Sequence, residues 1–469
     1  MTNSDFDLAI NGGTVVLPSG AIQAHLGIRD GRISSISSHA LSGHDTLDAT
    51  NKVVLAGGID PHVHFRMYQK SVVTSDDYAT GSRSAACGGV TTYIDFAVQP
   101  SGGSALAAVQ ERLGEAQRDS TIDYAFHAAL TTATDATLAE IEPIVALGVR
   151  SFKFFLTYRS FGFYTDLGFL LEAMNEIARL GGAALIHAEN DEVLEHLKER
   201  CLAAGNTGMR SLALQRPDFA EEIAVASTAA LARETGCRTA VVHLSSARGL
   251  TAALRARADG SPYFVETCPQ YLLLSQTLLD RADGGLYTFT PTMKSPADSD
   301  ALWAGIASGE VTYAGSDHSP FDRAVKLGAA TFDAVYPGIP GTETLLPLLF
   351  AEGVNGGRMT LERFASLTSG NAANVFQLRG KGAIQPGYDA DLVVFDPARE
   401  VTLSSAMLHS RCDYTPYEGR SLRGYPVATV SRGEVVMRDG EFTGRAGRGR
   451  LVARGPALAS TEAAALALA

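Results

Sequence analysis

The chain has 469 residues, which is enough for more than one domain and a large hydrophobic core. Its 39 basic and 51 acidic side chains give a formal charge of −12, which argues against a nucleic acid or an anionic membrane surface as partner. No apolar run reaches the roughly 18 residues that a membrane span requires, and residues 1–8 lack the pattern of a signal peptide. We therefore expect a cytoplasmic protein that does not enter a membrane.

Both ends of the chain predict β-structure. Near the N-terminus, short apolar runs at 7–10, 14–17, 27–29 and 32–36 are separated by turn residues, among them Asp30 and Gly31. Similar runs return at 391–395, 428–432 and 434–437, followed by a second turn pair, Asp439 and Gly440. We expect residues 1–54 and 376–454 to form one β-sandwich domain, and residues 455–469 to be a tail that is either a short helix or disordered.

The central part of the chain, residues 55–375, alternates apolar runs with helix-forming stretches. The eight apolar runs lie at 53–59, 90–96, 123–129, 149–156, 183–186, 239–242, 263–265 and 311–314. Helix-forming stretches lie at 104–117, 170–180, 191–204 and 219–235. Repeated strand–helix alternation predicts an α/β fold, a TIM-like (β/α)8 barrel. The spacing alone leaves a doubly wound open sheet as the alternative.

Residues of the types that bind metals follow four of the predicted strands. His62 and His64 lie two positions apart after the first run, so their imidazoles point to the same side of a strand. His187, His243 and Asp317 follow the fifth, sixth and eighth runs. Because active sites of such barrels lie at the carboxyl ends of the strands, we expect these side chains to converge. Imidazole and carboxylate ligands suit zinc and similar divalent metals.

Lys153 lies in the fourth run, within Ser-Phe-Lys-Phe-Phe at 151–155. Burial among phenylalanines is costly for an ammonium group and lowers its pKa. The resulting neutral amine can react with CO2 to give an anionic carbamate, which can bridge two metal ions. The alternative is a lysine whose charged end extends to solvent at the rim of the barrel. The residue type by itself favours neither role.

Two metals and one carboxylate suggest a hydrolytic mechanism. A bound metal lowers the pKa of water and supplies hydroxide near neutral pH. Asp317 can act as general base and acid, since it can take a proton from the attacking hydroxide and deliver it to the leaving nitrogen. Tyr158, five residues after Lys153, can donate a hydrogen bond to the developing oxyanion. Its alternative role is that of an aromatic residue that only packs in a loop.

Several segments resemble the dihydropyrimidinase and hydantoinase branch of the cyclic amidohydrolases, over nearly the whole chain from Asp7 to about Arg454. Gly-Gly-Ile-Asp-Pro-His-Val-His at 57–64 is similar to the family's first-strand motif. Glu-Thr-Cys-Pro-Gln-Tyr-Leu at 266–272 resembles its seventh-strand motif, and Gly-Ser-Asp-His-Ser-Pro-Phe at 315–321 resembles the motif that carries its aspartate. Gly-Tyr-Asp-Ala-Asp-Leu-Val at 387–393 and Tyr-Glu-Gly at 417–419 are also similar to the family.

This resemblance implies a barrel with a β-sandwich domain, a homotetramer and two divalent metal ions, zinc in the first place and Mn2+ or Co2+ as alternatives. The implied ligands are His62, His64 and Asp317 for the more buried ion, His187 and His243 for the second, and Lys153, carboxylated by CO2, for both. The family's tyrosine corresponds to Tyr158. The implied reaction opens a cyclic imide or ureide, a 5-substituted hydantoin or a 5,6-dihydropyrimidine, to the N-carbamoyl amino acid.

The substrate-binding end departs from the family pattern. The family contacts the amide edge of the ring through backbone groups of a serine and an asparagine, and these positions correspond to Thr290 and Pro337. Proline keeps the carbonyl acceptor but has no N–H to donate. The surrounding aromatic residues indicate either an apolar substituent pocket or simple packing; they are Phe65, Phe155, Tyr158, Phe161 and Phe163.

Arg66, two positions after His64, suggests an alternative substrate. Dihydroorotases have an arginine at this position that holds a substrate carboxylate, a task suited to its fixed bidentate geometry. An allantoinase or dihydroorotase acting on an acidic ring is nevertheless disfavoured, since Arg-Met-Tyr at 66–68 stands where a Glu-Pro-Gly segment would begin. Otherwise Arg66 is a surface or salt-bridged side chain.

A non-catalytic interaction protein is the alternative from another functional class. The collapsin response mediators share this fold but have lost metal ligands. Every ligand position is filled in this chain, which disfavours that function.

Overall fold

The computed structural model describes residues 6–69 and 71–455, so residues 456–469, most of the predicted tail, lie outside the described residues. The described part of the chain starts, as predicted, with strands: β1 (Phe6–Asn11), β2 (Thr14–Leu17), β3 (Gly20–Gln23), β4 (His25–Arg29), β5 (Arg32–Ser37), β6 (Gly43–Asp48) and β7 (Val53–Ala56). Asp30 and Gly31 connect β4 and β5 with φ values of 52° and 72°. A type I′ turn requires this left-handed conformation at both central residues, and the turn pair in the sequence predicted it.

Eight parallel strands form the central barrel. The next strands in the chain are β8 (Gly58–Val63), β9 (Tyr68–Gln69), β10 (Val72–Val73), β11 (Val90–Val98), β12 (Asp123–Ala129), β13 (Ser151–Phe155), β14 (Ala183–His187), β15 (Arg238–Val241), β16 (Tyr263–Thr267) and β17 (Tyr313–Ala314). All except the β9–β10 hairpin belong to the barrel, in chain order. Backbone hydrogen bonds of His318, beyond β17, to His62 at 3.3 Å and His64 at 2.8 Å complete the ring. The predicted barrel is confirmed over the open sheet.

Helices connect the barrel strands and pack against them. They are α1 (Tyr78–Cys87), α2 (Ala105–Asp119), α3 (Asp135–Ala139), α4 (Ile141–Ala146), α5 (Leu167–Arg179), α6 (Asp191–Ala203), α7 (Ser211–Gln215), α8 (Asp218–Thr235), α9 (Ala247–Ala258), α10 (Pro269–Leu273), α11 (Pro296–Ser308), α12 (Arg323–Leu327), α13 (Leu345–Leu349), α14 (Leu361–Ala365) and α15 (Asn371–Val375). The four predicted helices correspond to α2, α5, α6 and α8. Ser104 and Asn190 cap α2 and α6, since their side chains accept backbone N–H groups of the first turn. Within the described residues, no helix combines the length and apolar character of a membrane span.

Strands from both ends of the chain form the second domain. The C-terminal strands are β18 (Leu392–Thr402), β19 (Ser421–Ser431), β20 (Glu434–Arg438) and β21 (Glu441–Phe442). They join β7, β2 and β3 in a seven-stranded sheet, which packs on a four-stranded sheet of order β5-β4-β1-β6. Val54 and Val394 lie in the core between the two sheets, whereas Val53 and Val393 belong to the barrel core on the opposite face. The predicted sandwich from both termini is therefore present.

The predicted first barrel run, 53–59, is divided between the two domains. β7 (Val53–Ala56) pairs with β18 in the sandwich, and the barrel begins with β8, which extends to Val63 and contains His62. All four residues of β7 are buried, because the sheet is covered on both faces. A strand buried on both faces is apolar throughout, so its sequence resembles that of a barrel strand.

Candidate functional site

Three potential metal ligands meet at the carboxyl end of the barrel. His62 and His64 lie on or just after β8 and point to the same side, towards Asp317 beyond β17. Nε2 of His62 and Nε2 of His64 each lie 3.2 Å from Oδ1 of Asp317. The ring of Phe96 packs against both imidazoles, with centroid distances of 4.7 and 4.8 Å. One cation between these atoms would contact all three side chains.

The hydrogen bonds of His62 support a metal at this position. Its Nδ1 lies 2.9 Å from Oε2 of Glu266, while its Nε2 is buried and has no hydrogen-bond partner among the described residues. A proton on Nδ1 leaves the lone pair of Nε2 facing the carboxylate of Asp317. These two acceptors repel one another, whereas a cation between them attracts both. The pattern of a carboxylate behind a ligating histidine is typical of metal sites.

A second group of potential ligands lies directly beside the first. The ring centroids of His187 and His243 are 4.4 Å apart, and those of His243 and His62 are 5.3 Å apart. Nζ of Lys153 lies 3.5 Å from Nε2 of His243. The structure thus brings together all six residues predicted to bind metals.

Burial determines the charge of these groups. Burial lowers the pKa of His62 and His243, and lowers that of His187 to about 4, so these imidazoles are neutral at pH 7. Burial alone would raise the pKa of Asp317, but its polar neighbours, the hydrogen bond from His64 among them, hold it below its ordinary value. Neutral imidazoles and an ionised carboxylate are the forms that bind a metal.

Lys153 is 1 % exposed, and its ammonium group lies between aromatic rings, with Nζ 5.3 Å from the ring centroids of both Phe96 and Phe155. Burial lowers the pKa of Lys153 to about 8. At pH 7 roughly a tenth of this amine is therefore neutral, compared with less than about a thousandth at the ordinary pKa of 10.5. The side chain of Lys153 does not extend to solvent, so the structure excludes the alternative of a lysine whose charged end reaches solvent at the rim of the barrel.

Tyr158 and Thr290 line the same cavity, and their hydroxyl groups are hydrogen-bonded to one another. Burial raises the pKa of Tyr158 to about 12, so its hydroxyl keeps a proton to donate at neutral pH. Pro337 also lines the cavity. Much of the remaining wall is aromatic; its rings belong to Tyr68, Phe96, Phe155, Phe161, Phe163 and Phe289. Phe65 lies instead in the barrel core, 1 % exposed.

Arg66 is not brought to the cavity. Its NH1 lies 3.0 Å from Oε1 of Glu115 on α2, and its side chain is 41 % exposed. The structure therefore places Arg66 in a partly exposed ion pair, apart from the other predicted site residues.

The backbone is held in an unfavourable conformation at several of these positions. His243, Tyr158 and Asp317 have φ values of 43°, 66° and 52°, in the left-handed region that non-glycine residues seldom adopt. Such conformations persist only where surrounding contacts hold them, and they cluster at functional sites.

Three further residues of the site were not identified from the sequence. Oε2 of Glu266 contacts Nδ1 of His62 and accepts the backbone N–H of His243, both at 2.9 Å. Oε2 of Glu189 lies 2.8 Å from Nε2 of His187 and accepts a hydrogen bond from Arg216. The sequence contained a signal for the two carboxylates, since Glu266 directly follows the apolar run at 263–265 and Glu189 lies two residues after His187. Arg216 had no such signal.

Comparisons with known proteins agree with this geometry. The sequence pattern described as "Amidohydrolase family" matches residues 53–436. The chain is 37% identical over 454 residues to D-phenylhydantoinase of Escherichia coli K12, covering 95% of this chain and 98% of the relative.

Solved structures are similar over the same extent. Dihydropyrimidinase from Brevibacillus agri superimposes with a TM-score of 0.93 at 35% identity, over 96% of this chain and 99% of the other. The L-hydantoinase from Arthrobacter aurescens gives a TM-score of 0.88 at 29% identity, over 96% of this chain and 100% of the other. The chain is therefore a hydrolase of the amidohydrolase family, within its hydantoinase and dihydropyrimidinase branch.

Proposed function

We propose that this enzyme opens a 5-substituted hydantoin or a 5,6-dihydropyrimidine by hydrolysis of a ring amide, giving the N-carbamoyl amino acid. The observation that carries the proposal is the convergence of His62, His64, Asp317, Lys153, His187 and His243 on one cavity that also contains the Tyr158 hydroxyl. The names of the relatives, D-phenylhydantoinase and dihydropyrimidinase, support this class of substrate.

Two divalent metals fit the donor set, and we propose zinc, with Mn2+ or Co2+ as alternatives. His62, His64 and Asp317 would hold one ion, and His187 and His243 the other. Such ions supply a Lewis acid and a nucleophilic water that is deprotonated near neutral pH. Glu266 and Glu189 orient two of these imidazoles from behind, through Nδ1 of His62 and Nε2 of His187.

We propose that Lys153 is carboxylated by CO2, with loss of one N–H proton, and that the resulting carbamate would help to hold both ions. Its burial, and its position 3.5 Å from His243, support this role. A neutral amine is the form that reacts with CO2, and the lowered pKa of Lys153 provides it. An unmodified ammonium group here would repel a divalent cation, so carboxylation also removes an electrostatic conflict.

Asp317 moves the proton in the proposed reaction. Its carboxylate takes the proton of the attacking hydroxide as the C–O bond forms and returns it to the ring nitrogen as the C–N bond breaks. The hydroxyl of Tyr158 donates a hydrogen bond to the carbonyl oxygen as negative charge develops on it. In this role the hydroxyl of Thr290 donates to the oxygen of Tyr158, which holds the tyrosine ring in place and leaves the Tyr158 proton for the substrate. The backbone carbonyls of Thr290 and Pro337 are the proposed acceptors for ring N–H groups.

The aromatic wall formed by Phe155, Phe161, Phe163 and Phe289 favours an apolar or aryl substituent on the ring. Arg66 lies outside this cavity, so its position gives no support to the hypothesis of an acidic ring substituent. We further propose, from the resemblance to the family, a homotetramer in the cytoplasm.

The decisive experiment assays a panel of hydantoins and dihydropyrimidines with added Zn2+ or Mn2+ and identifies the N-carbamoyl product. 5-Phenylhydantoin should be turned over, and Asp317→Asn should bind it but not turn it over. If no ring of either class is opened by the metal-loaded enzyme, or if Asp317→Asn keeps the kcat of the unmodified enzyme, the proposal is wrong.

A further inference from the structure

Hydrogen bonds fix the tautomer and the ring orientation of His318, the residue that follows Asp317. The side chain of His318 is 1 % exposed. Its Nδ1 accepts the backbone N–H groups of Gly341 at 3.0 Å and of Thr342 at 3.3 Å, so its proton lies on Nε2. Nε2 then donates to Oδ2 of Asp76 at 3.2 Å. Both ring nitrogens are used, and the ring cannot turn without breaking these bonds.

The backbone of His318 holds the strand on the other side of the site. Its carbonyl accepts the N–H of His64 at 2.8 Å, and its N–H donates to the carbonyl of His62 at 3.3 Å. Asp317 lies between this anchored residue and Ser316, whose hydroxyl and N–H both donate to Asp60. The left-handed conformation of Asp317 is therefore held from both sides.

Asp76 is also contacted by a segment of the β18–β19 connection, residues 409–411. The hydroxyl of Ser410 donates to Oδ2 of Asp76, and the backbone N–H of Arg411 donates to Oδ1 at 2.9 Å. The same segment is anchored a second time, since His409 contacts Glu343 through its backbone N–H at 2.7 Å and its Nδ1 at 2.8 Å. Asp76 is 0 % exposed, so these donors replace water around its carboxylate.

We propose that Asp76 and His318 are positioning residues through which the β18–β19 connection fixes the carboxylate of Asp317 for proton transfer. Neither side chain lines the substrate cavity, so neither is a catalytic residue. The proposal rests on the proton-transfer role of Asp317 in the proposed function. By this proposal, the β18–β19 connection of the second domain affects the catalytic rate. A chain of hydrogen bonds runs from Ser410 through Asp76 and His318 to the backbone next to Asp317.

The proposal is tested with Ser410→Ala, which removes one donor to Asp76 and also the acceptor of the Cys412 backbone N–H within the connection. We expect kcat, per mole of metal-loaded enzyme, to fall about fivefold, since one hydrogen bond to a buried charge is lost. Asp76→Asn should lower kcat by about 10- to 100-fold, the range for groups that orient residues of a metal site. An amide cannot accept from His318, Ser410 and Arg411 at once, because one of its two ends is itself a donor. In both variants KM and metal content should stay unchanged.

Ser421→Ala is the matched control. It is the same substitution in the same domain, but this exposed hydroxyl contacts only Thr402 across the sheet, at 3.2 Å, among the hydrogen bonds of the described residues. The control should keep the kcat of the unmodified enzyme. A combined Asp76→Asn and Ser410→Ala variant should lose less than the product of the two single effects, since both act through one carboxylate.

The possible failures can be distinguished. If Ser410→Ala and Asp76→Asn keep normal kcat while Asp317→Asn is inactive, the positioning role is overturned and the proposed function stands. The same holds if only KM or metal content changes, because that result indicates a purely structural role. If Asp76→Asn does not fold, the comparison of kcat between Ser410→Ala and Ser421→Ala is sufficient to test the positioning role. If Asp317→Asn retains turnover, both the proposed function and the positioning role are overturned.

Discussion

Arg216 and Glu189 form a buried ion pair behind His187, and replacing Arg216 by methionine tests how much this pair stabilises the fold. The two side chains are 7% and 0% exposed. Burial alone would raise the pKa of Glu189, but Arg216 and the hydrogen bond from His187 hold it at about 2, below the ordinary 4.5. This difference corresponds to about 3 kcal/mol of folding free energy. Because the pKa is depressed, that stability is present above pH 4.5 and is lost as the pH falls towards 2.

Arg216→Met leaves the Glu189 carboxylate without its guanidinium partner, and we expect the free energy of unfolding at pH 7 to fall by about 3–5 kcal/mol. The decrease in stability between pH 4.5 and 2 should become shallower, since the pKa of Glu189 is then less depressed. Glu189→Gln in the Arg216→Met background removes the unpaired charge but keeps an acceptor for His187. The double variant should therefore be more stable than Arg216→Met alone.

Urea unfolding, followed by the fluorescence of Trp303, measures these changes. This residue is the single tryptophan of the chain and is 5% exposed, so unfolding moves it into water. The series is measured on metal-loaded and on chelator-treated protein, which separates the ion pair from any effect on a bound metal.

The matched control is Arg248→Met. Arg248 is 53% exposed and lies 3.6 Å from Asp218 and 3.5 Å from Glu222, so its loss should cost at most about 1 kcal/mol. Equal losses in Arg216→Met and Arg248→Met would refute the reasoning, as would a double variant no more stable than the single one.

Three other substitutions test the site. Lys153→Ala should lose a large part of the bound metal and most activity, and a short carboxylic acid such as propionate should restore part of both; unchanged metal content and kcat would contradict the carbamate. Tyr158→Phe should lower kcat by about 10²- to 10³-fold with little change in KM, because the hydroxyl acts mainly on the developing oxyanion; a change in KM alone would argue against this role. Arg66→Ala should change kcat/KM by less than about twofold for both dihydrouracil and a carboxylate-bearing ring, since its guanidinium group is partly exposed and pairs with Glu115. A selective loss with the acidic ring would mean that Arg66 reaches the substrate.

The sequence by itself predicted the barrel and the sandwich from local patterns, and local patterns together with the family resemblance singled out the six residues that we propose bind metals. Strand–helix alternation persists along the chain whatever the tertiary contacts, and a ligand at the end of a strand lies at the carboxyl end of the barrel once that barrel forms. The turn pairs Asp30–Gly31 and Asp439–Gly440 likewise act through their own backbone preferences.

The tertiary structure decided what depends on residues far apart in the chain. β7 and β8 are both fully buried, and pairing with β2 and β18 assigns β7 to the sandwich. Arg66 occupies a position that suggests a substrate contact, yet its ion pair with Glu115 on α2 determines where it lies.

The hydrogen bonds behind the site also join residues that are far apart in the sequence. Arg216 reaches Glu189 across 27 residues and Ser410 reaches Asp76 across 334. Neither contact leaves a local pattern, because a buried carboxylate can take its partners from any part of the chain that folding brings within hydrogen-bonding distance. The ligand types could therefore be recognised in the sequence, whereas the contacts that orient them could be identified only from the folded chain.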